Sequence, residues 1–419
     1  MRCLGSLALT LCACFVPVAW AQQNAGMPHY GKPSFLRHRV PNGRPMTLGA
    51  TNNLSFTPPA AAAGLRTWDL GHYPTGTWAE PRGINDFGVV VGFGDIAGGY
   101  TRPIGVPLFG GNAGQWFDLG TLGGDRTDME VMCMGVADTG MIVGHAALSG
   151  GEIVHAFAWT PKSGMVDIGA LSDDYNFSLA FNVNKSATLI VGWSSNEFMG
   201  PASLPVVWTP KVVWGPHGPA INWRIQELDT KGFEQANSWY ATGVNDSGQI
   251  IGVATAADGG EIAVLWNPLP GGKGWKIMQL PVTPDYPAAH PSDINDRGEI
   301  VGYVNPLDWS TWFPALWRPV DPRRSAYSLT RLTTPTGSEE GWAEANGIND
   351  LGDIVGDFYD ADWNWFAARW STRDPNSVQA LGLPGTWNFA EKVNNDRIAI
   401  GAYGNDDTIP ENVVAVKLR

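Results

Sequence analysis

Short apolar runs alternate with turn residues along this chain from about residue 65 to its end. The clearest unit is Arg82-Gly-Ile-Asn-Asp-Phe-Gly-Val-Val-Val-Gly92. It comprises an apolar run, an Asn-Asp-x-Gly turn, and a second apolar run closed by glycine. The unit returns at 135–144, 243–252, 293–302 and 347–356, and in degraded form at 182–192 and 392–401, giving seven copies. Asn-Asp-x-Gly between β-branched runs predicts a tight hairpin. Gly88, Gly140, Gly248, Gly298 and Gly352 stand where such a turn needs positive φ, and the turn Asp is expected to accept nearby backbone amides. In the degraded copies Arg397 replaces that glycine, and Ala187-Thr188 lengthens the third hairpin by one residue.

The closing glycine is present in all seven copies: Gly92, Gly144, Gly192, Gly252, Gly302, Gly356 and Gly401. A strand position without a side chain marks the close approach of another group. The expected neighbour is a tryptophan on the next strand. That strand reads His155-Ala-Phe-Ala-Trp-Thr-Pro161, with counterparts ending in Trp208, Trp266, Trp317 and Trp370. Each ring can bury ~150–250 Å², a gross gain of roughly 4–6 kcal/mol at ~25 cal/mol/Å². Packing alone therefore accounts for their recurrence.

Equivalent residues 83, 135, 182, 243, 293, 347 and 392 are separated by 52, 47, 61, 50, 54 and 45 positions. Each period holds four strand signatures and no sustained helical period, which predicts a propeller blade. The fold class is therefore all-β, a seven-bladed propeller of four-stranded antiparallel blades. The blades fall at about 79–120, 130–169, 178–228, 238–281, 290–332, 343–383 and 389–419. Leu65-Arg-Thr-Trp-Asp-Leu-Gly71 is a fourth strand without a blade, and the chain stops after a third strand at 412–419. The two are expected to share one sheet and close the ring, removing an exposed edge.

Gly-Ile-Asn-Asp-x-Gly-x-Ile-Val-Gly together with His155-Ala156-Phe157 resembles the HAF repeat family of extracellular proteins. The similarity covers residues 65–419, although the His-Ala-Phe triplet occurs once. The resemblance implies export and repeat architecture, and no particular chemistry.

Composition adds an address. Met1-Arg2, an apolar run from Cys3 to Trp20, and Ala19-Trp20-Ala21 describe a secretory signal peptide at 1–21. Residues 22–64 are rich in proline and read as an extended arm. The expected location is extracellular or periplasmic. Cys133 is then the sole cysteine, so no internal disulfide forms. The formal net charge is −13, and lysine and arginine form no stripe. Phosphate binding needs clustered cations, so no nucleic-acid partner is expected. No later run is long enough to span a bilayer. A monomer is expected.

The loops leading into each first strand and those joining second to third strands share one face of such a ring. They carry Trp78, Glu80, Arg82, Trp309, Trp312, Trp342, Glu344, Trp363, Trp365 and Trp387, an arc of aromatic and charged groups from blade 5 through blade 1. Aromatic faces stack on sugar rings or peptide side chains, and carboxylates accept their hydroxyl or amine hydrogens. A glycan, peptide or protein ligand is the first reading. Glu80, Glu344 and Glu391 could instead form a carboxylate pair for hydrolysis of a polysaccharide or another substrate. A passive surface protein is the third reading. The seven histidines have no metal-ligand spacing, and an isolated Asn-Asp-x-Gly supplies too few oxygens for calcium. Neither cofactor, metal nor catalytic residue is assigned.

Overall fold

The computed structural model describes residues 65–124, 132–198, 202–215, 218–256, 259–335, 338–360, 364–405 and 411–419. The expected signal peptide, the expected arm and Trp363 lie outside the described residues. Every regular element described is a strand, and no helix is long and apolar enough to cross a membrane. The strands form seven four-stranded antiparallel sheets. Their inner strands are Ala79–Ile84, Met132–Val136, Phe177–Val183, Ala236–Val244, Ala288–Ile294, Ser338–Ile348 and Trp387–Val393. In six sheets the strands follow chain order from the centre outward. In the seventh, Thr67–Gly71 is the outer strand, paired antiparallel with Asn412–Lys417. The two ends of the propeller thus build one blade, as the sequence predicts.

The turns behave as predicted. The five turn glycines have φ between +76° and +86°, and Ala187 and Arg397 adopt +56° and +57° in the degraded copies. The closing glycine has a different cause from the one expected. Each inner strand carries a bulge at the same level, as between Pro81 and Gly83 or Pro291 and Asp293. Each closing glycine lies opposite the residue preceding that bulge, as Gly92 faces Pro81 and Gly302 faces Pro291. A Cβ on any of the seven would lie 1.9–2.1 Å from an inner-strand carbonyl oxygen. The neighbour is the bulged backbone, and at Gly252 a Trp ring also crowds the site, where Trp266 would be 2.7 Å away.

The tryptophans of the third strands link blades. The Trp208, Trp266, Trp317 and Trp370 indoles donate to the carbonyls of Gly169, Asp229, Pro281 and Thr333 in the connection from the preceding blade. All four are buried, while Trp159 is half-buried and stacks on Phe117 at 5.7 Å.

The Asn-Asp pair performs a second task. The Asn Oδ1 closes its own turn, as Asn349 does by accepting the Leu351 and Asp353 amides. Its Nδ2 donates to the turn carbonyl of the next blade: Asn85 to Ala137, Asn245 to Asn295, Asn295 to Asn349, Asn349 to Asn394, and Asn394 to Asn85. Outside this partial circle runs a complete one. The amides of Asp86, Ser186, Asp246, Asp296, Asp350 and Asn395 donate to Asp138, Asp246, Asp296, Asp350, Asn395 and Asp86. The Asp138 amide completes it by donating to the Lys185 carbonyl. The turn Asp thus accepts an amide from the neighbouring blade rather than from its own turn. At about 1 kcal/mol net per hydrogen bond, these circles join all seven blades at one end of the channel.

Candidate functional site

The channel has two ends with different chemistry. At the turn end the second residue of each Asn-Asp pair forms a ring: Asp86, Asp138, Lys185, Asp246, Asp296, Asp350 and Asn395. Lys185 replaces the aspartate in blade 3 and reaches across to Asp296, 3.4 Å away, and to Asp350. Burial opposes charge on Asp350, but the Lys185 ammonium and the Asp296 amide hold its carboxyl below the usual carboxylate range. Asp138 is raised, first by burial and then by the Asp86 and Asp246 charges, against the Asp86 amide and Lys185. A cavity of about 110 Å³ runs inward from this ring as far as Arg82 and Met134.

At the loop end the channel is filled. Arg82 lies between two carboxylates, 2.6 Å from Glu80 and 3.1 Å from Glu391. The bulge places it there, since Arg82 is the extra residue between Pro81 and Gly83. All three side chains are buried, and the Arg82 guanidinium stands 5.5 Å from the Phe93 ring centroid. Asn346, the bulged residue of blade 6, donates to Asp357 at 2.8 Å. Blades 1 to 4 supply an apolar wall that includes Phe93, Met132, Met134, Leu179, Phe181 and Tyr240. The upper channel is therefore apolar on one side and charged on the other.

The predicted aromatic arc divides in two. Trp365 and Trp387 are buried, stacked on each other at 6.1 Å and each within 6.4 Å of Phe389. Trp342 is buried against Trp312, with centroids 4.2 Å apart. Trp78 packs edge-on to Phe93 at 5.6 Å and keeps one side partly exposed. Trp309 and Trp312 are partly exposed in the loop between the second and third strands of blade 5, beside Leu307, which is 55% exposed. Trp309 holds φ at +56°. Glu344 is buried on the inner strand of blade 6, opposite Asp357. The structure thus joins Glu80, Arg82 and Glu391 into one ion-paired group, leaves Trp309 and Trp312 partly exposed, and buries Trp342, Trp365 and Trp387.

Two buried groups escaped the sequence reading. His290 donates Nδ1–H to the Glu261 carboxylate at 3.0 Å and stacks on Tyr303 at 5.2 Å. His145 is buried, and burial pushes its imidazole down to about 3. Cys133 is buried, and burial raises its thiol to about 12 against hydrogen bonds to the Gly92 and Ile104 carbonyls.

No protein family matches the chain by sequence profile, and no curated sequence matches it. Similar solved structures exist at low identity. Streptogramin B lyase is 11% identical with a TM-score of 0.47, covering 86% of this chain and 99% of that one. A prolyl endopeptidase is 11% identical with a TM-score of 0.48, covering 79% of this chain and 47% of that one. The fungal lectin of Aleuria aurantia, a six-bladed β-propeller, is 14% identical with a TM-score of 0.34, covering 76% of this chain and 99% of that one. At these identities the likeness concerns the propeller fold and nothing finer.

Proposed function

We propose that the protein is an exported, non-catalytic binding module that presents a glycan- or peptide-binding patch on the loop face of blade 5. Trp309 carries the reading. A bulky side chain at positive φ is a backbone outlier that costs on the order of 1–3 kcal/mol, and such strain gathers at ligand sites. All four non-glycine residues at positive φ close a turn on the carbonyl three residues back, Trp309 on Pro306. Ala187 and Arg397 replace turn glycines, and Arg324 anchors its loop to the Asp296 carbonyl at 2.8 Å. Trp309 is instead partly exposed, between Leu307 and Trp312, with Asp308 exposed beside it. Trp312 is braced by Trp342, so an apolar surface with a carboxylate at its rim faces solvent. The signal peptide and the resemblance to HAF repeat proteins support export.

The carboxylates on which hydrolysis would depend support the non-catalytic reading. Glu80 and Glu391 both hold the Arg82 guanidinium in a buried group, an arrangement that fixes the channel wall. The test is to screen residues 22–419 on glycan and peptide arrays, beside Trp309→Ala. The parent should bind at least one class, and the variant should lose at least tenfold in affinity at an unchanged melting temperature. An array without a hit, or a variant that binds like the parent, overturns the proposal.

A further inference from the structure

We propose that residues 32–48 dock on the turn end of their own propeller, basic side chains on the aspartate ring and apolar ones on Phe87 and Phe109. This contact lies at the opposite end from the Trp309 patch and does not depend on it. Charge is divided unevenly along the chain. Residues 65–419 hold all 40 aspartates and glutamates against 22 of the 27 lysines and arginines, a net charge of −18. Residues 22–64 contain no acidic residue, and all four of their cations fall in the docking segment, as Lys32, Arg37, Arg39 and Arg44. Phe35, Leu36, Val40, Met46 and Leu48 are interspersed among them. Such a segment complements a surface that is both acidic and apolar.

The turn end is a surface of that kind. Asp86, Asp138, Asp246, Asp296 and Asp350 stand half-buried or exposed around Lys185, which leaves the ring four negative charges in excess. Phe87 is 69% exposed beside Asp86, and Leu351 is 45% exposed beside Asp350. Exposed apolar groups bordered by charge mark an interaction surface. The chain also enters the propeller at this end. Thr67 lies opposite Val416, and the Arg66 carbonyl accepts the Lys417 amide at 2.8 Å. The following amide, of Leu418, donates at 2.7 Å to the Arg397 carbonyl in the seventh turn. From this entry point an apolar path leads inward. Trp68 packs edge-on to Phe109 at 5.9 Å, and the Phe109 ring lies against Gly88, where an added Cβ would meet it at 2.7 Å. Gly88 ends the turn that carries Asp86 and Phe87.

Reach and tethering favour the chain's own segment over other occupants. Sixteen residues separate Leu48 from Leu65, at most about 50–60 Å of extended chain. The ring is narrow enough for the Lys185 side chain to cross it to Asp296 and Asp350, so the segment reaches every aspartate. Exposed ion pairs are individually weak, but a tethered segment acts at an effective concentration on the order of millimolar. A second copy docked face to face would instead set two acidic rings against each other.

The experiment is limited trypsin digestion of residues 22–419 at low salt, read by mass spectrometry. Arg37 and Arg39 are the cleavable sites, since proline follows Lys32 and Arg44. Cleavage there should be about tenfold slower than in a free peptide of residues 28–52, because proteolysis samples the undocked population. Raising salt from about 20 mM to about 0.5 M should lift most of that protection. Asp138→Asn/Asp246→Asn should do the same, and it keeps the oxygens that accept the Asp86 and Ser186 amides. Phe87→Ser, at an exposed position, should lift protection in part. Lys32→Glu/Arg44→Glu, compared with a peptide carrying the same changes, lies outside the propeller and tests the contact even if a ring variant fails to fold. Protection that is constant from about 1 to about 100 µM protein assigns the contact to one chain. Equal cleavage of chain and peptide overturns the proposal. So does protection that any folded variant leaves unchanged, or protection that grows with protein concentration, which would put the segment on a second copy.

Discussion

Replacing Gly302 by alanine should be far more damaging than its chemistry suggests, and the structure gives the size of the effect. Gly302 lies in a strand with an ordinary backbone, so alanine meets no φ penalty there. Its Cβ, however, would sit 1.9 Å from the His290 carbonyl oxygen and 3.0 Å from the Pro291 Cα. An ordinary carbon–oxygen contact is about 3.3 Å, so the overlap is about 1.4 Å and lies entirely on backbone. Relief requires the inner strand to withdraw at its bulge. That movement gives up ladder hydrogen bonds worth about 1 kcal/mol each and adds overpacking strain of about 1–3 kcal/mol. The expected loss is roughly 3–5 kcal/mol.

Two controls isolate the cause. Gly248→Ala places a side chain at φ +78° with its nearest neighbours at 3.7 Å, so it carries conformational strain alone, about 1 kcal/mol. Gly111→Ala enters open space and should be neutral or stabilise by about 0.4–1 kcal/mol through the unfolded chain. Urea midpoints of the three variants should fall in the order Gly111, Gly248, Gly302. If Gly302→Ala costs no more than Gly248→Ala, the bulge is free to move and the explanation for the seven glycines fails.

Further outcomes follow from the same geometry. Asn349→Asp keeps the oxygen that closes the turn but sets a carboxylate against the Asn394 carbonyl and Asp353, and should cost about 1–3 kcal/mol in denaturation. His145 has a folded value of about 3 and an unfolded one near 6.5, so below about pH 6.5 protons bind the unfolded chain preferentially. Stability should fall by up to ~1.4 kcal/mol per pH unit, about 2 kcal/mol by pH 5. A His145→Phe variant whose stability falls as steeply as the parent's between pH 7 and 5 would count against this. Asp350 is held below its ordinary value of 3.8, so its share of the turn-end clasp is present above that pH and disappears only as pH falls through the lower folded value. Trp309→Gly should hold or raise the melting temperature, since it relieves positive φ, and a drop of several degrees would show a packing role. Deleting residues 65–71 exposes the Asn412–Lys417 edge and should yield dimers or aggregates in size-exclusion chromatography. A stable monomer would show that the edge is otherwise protected.

Much of the architecture was legible because it is local and repeated. Asn-Asp-x-Gly announces its turn from adjacent residues, and Ala187 and Arg397 could be assigned positive φ from their place in the count. Strand 65–71 could be matched to 412–419 because a blade lacked one strand. The cause of the closing glycine was not legible, because a bulge is a relation between two strands and leaves no mark in either. The Asp–amide circle was likewise hidden, since donor and acceptor belong to different blades. Arg82 and Glu391 meet across 309 residues, a contact that exists only once the ring closes. The aromatic arc misled in part. Trp365 and Trp387 sit at strand starts where the side chain turns into the core, whereas Trp309 lies in the loop proper, and sequence spacing does not separate these cases.

The repeat indicates where function should be sought. Where the copies agree, a structural cause is now evident: glycine beneath the bulge in all seven, asparagine bridging turns in five, tryptophan bonded to the preceding blade in four. Those positions are occupied by demands that any seven-bladed ring of this sequence type must meet. Departures from the pattern meet no such demand. Lys185 stands among aspartates where a sixth carboxylate would also accept the amide of the preceding blade. Arg82 occupies a bulge position held by Met134, Phe181 and Thr242 in the next three blades. Trp309 adopts a turn conformation that glycine would adopt at no cost. Each departure lies on the channel or at its mouth, and each leaves the backbone of the ring unchanged. Substitutions at Lys185 and Trp309 should therefore alter binding more than folding, substitution of Arg82 should also cost stability by stranding the buried Glu80 and Glu391, and substitutions at the repeated positions should act on folding.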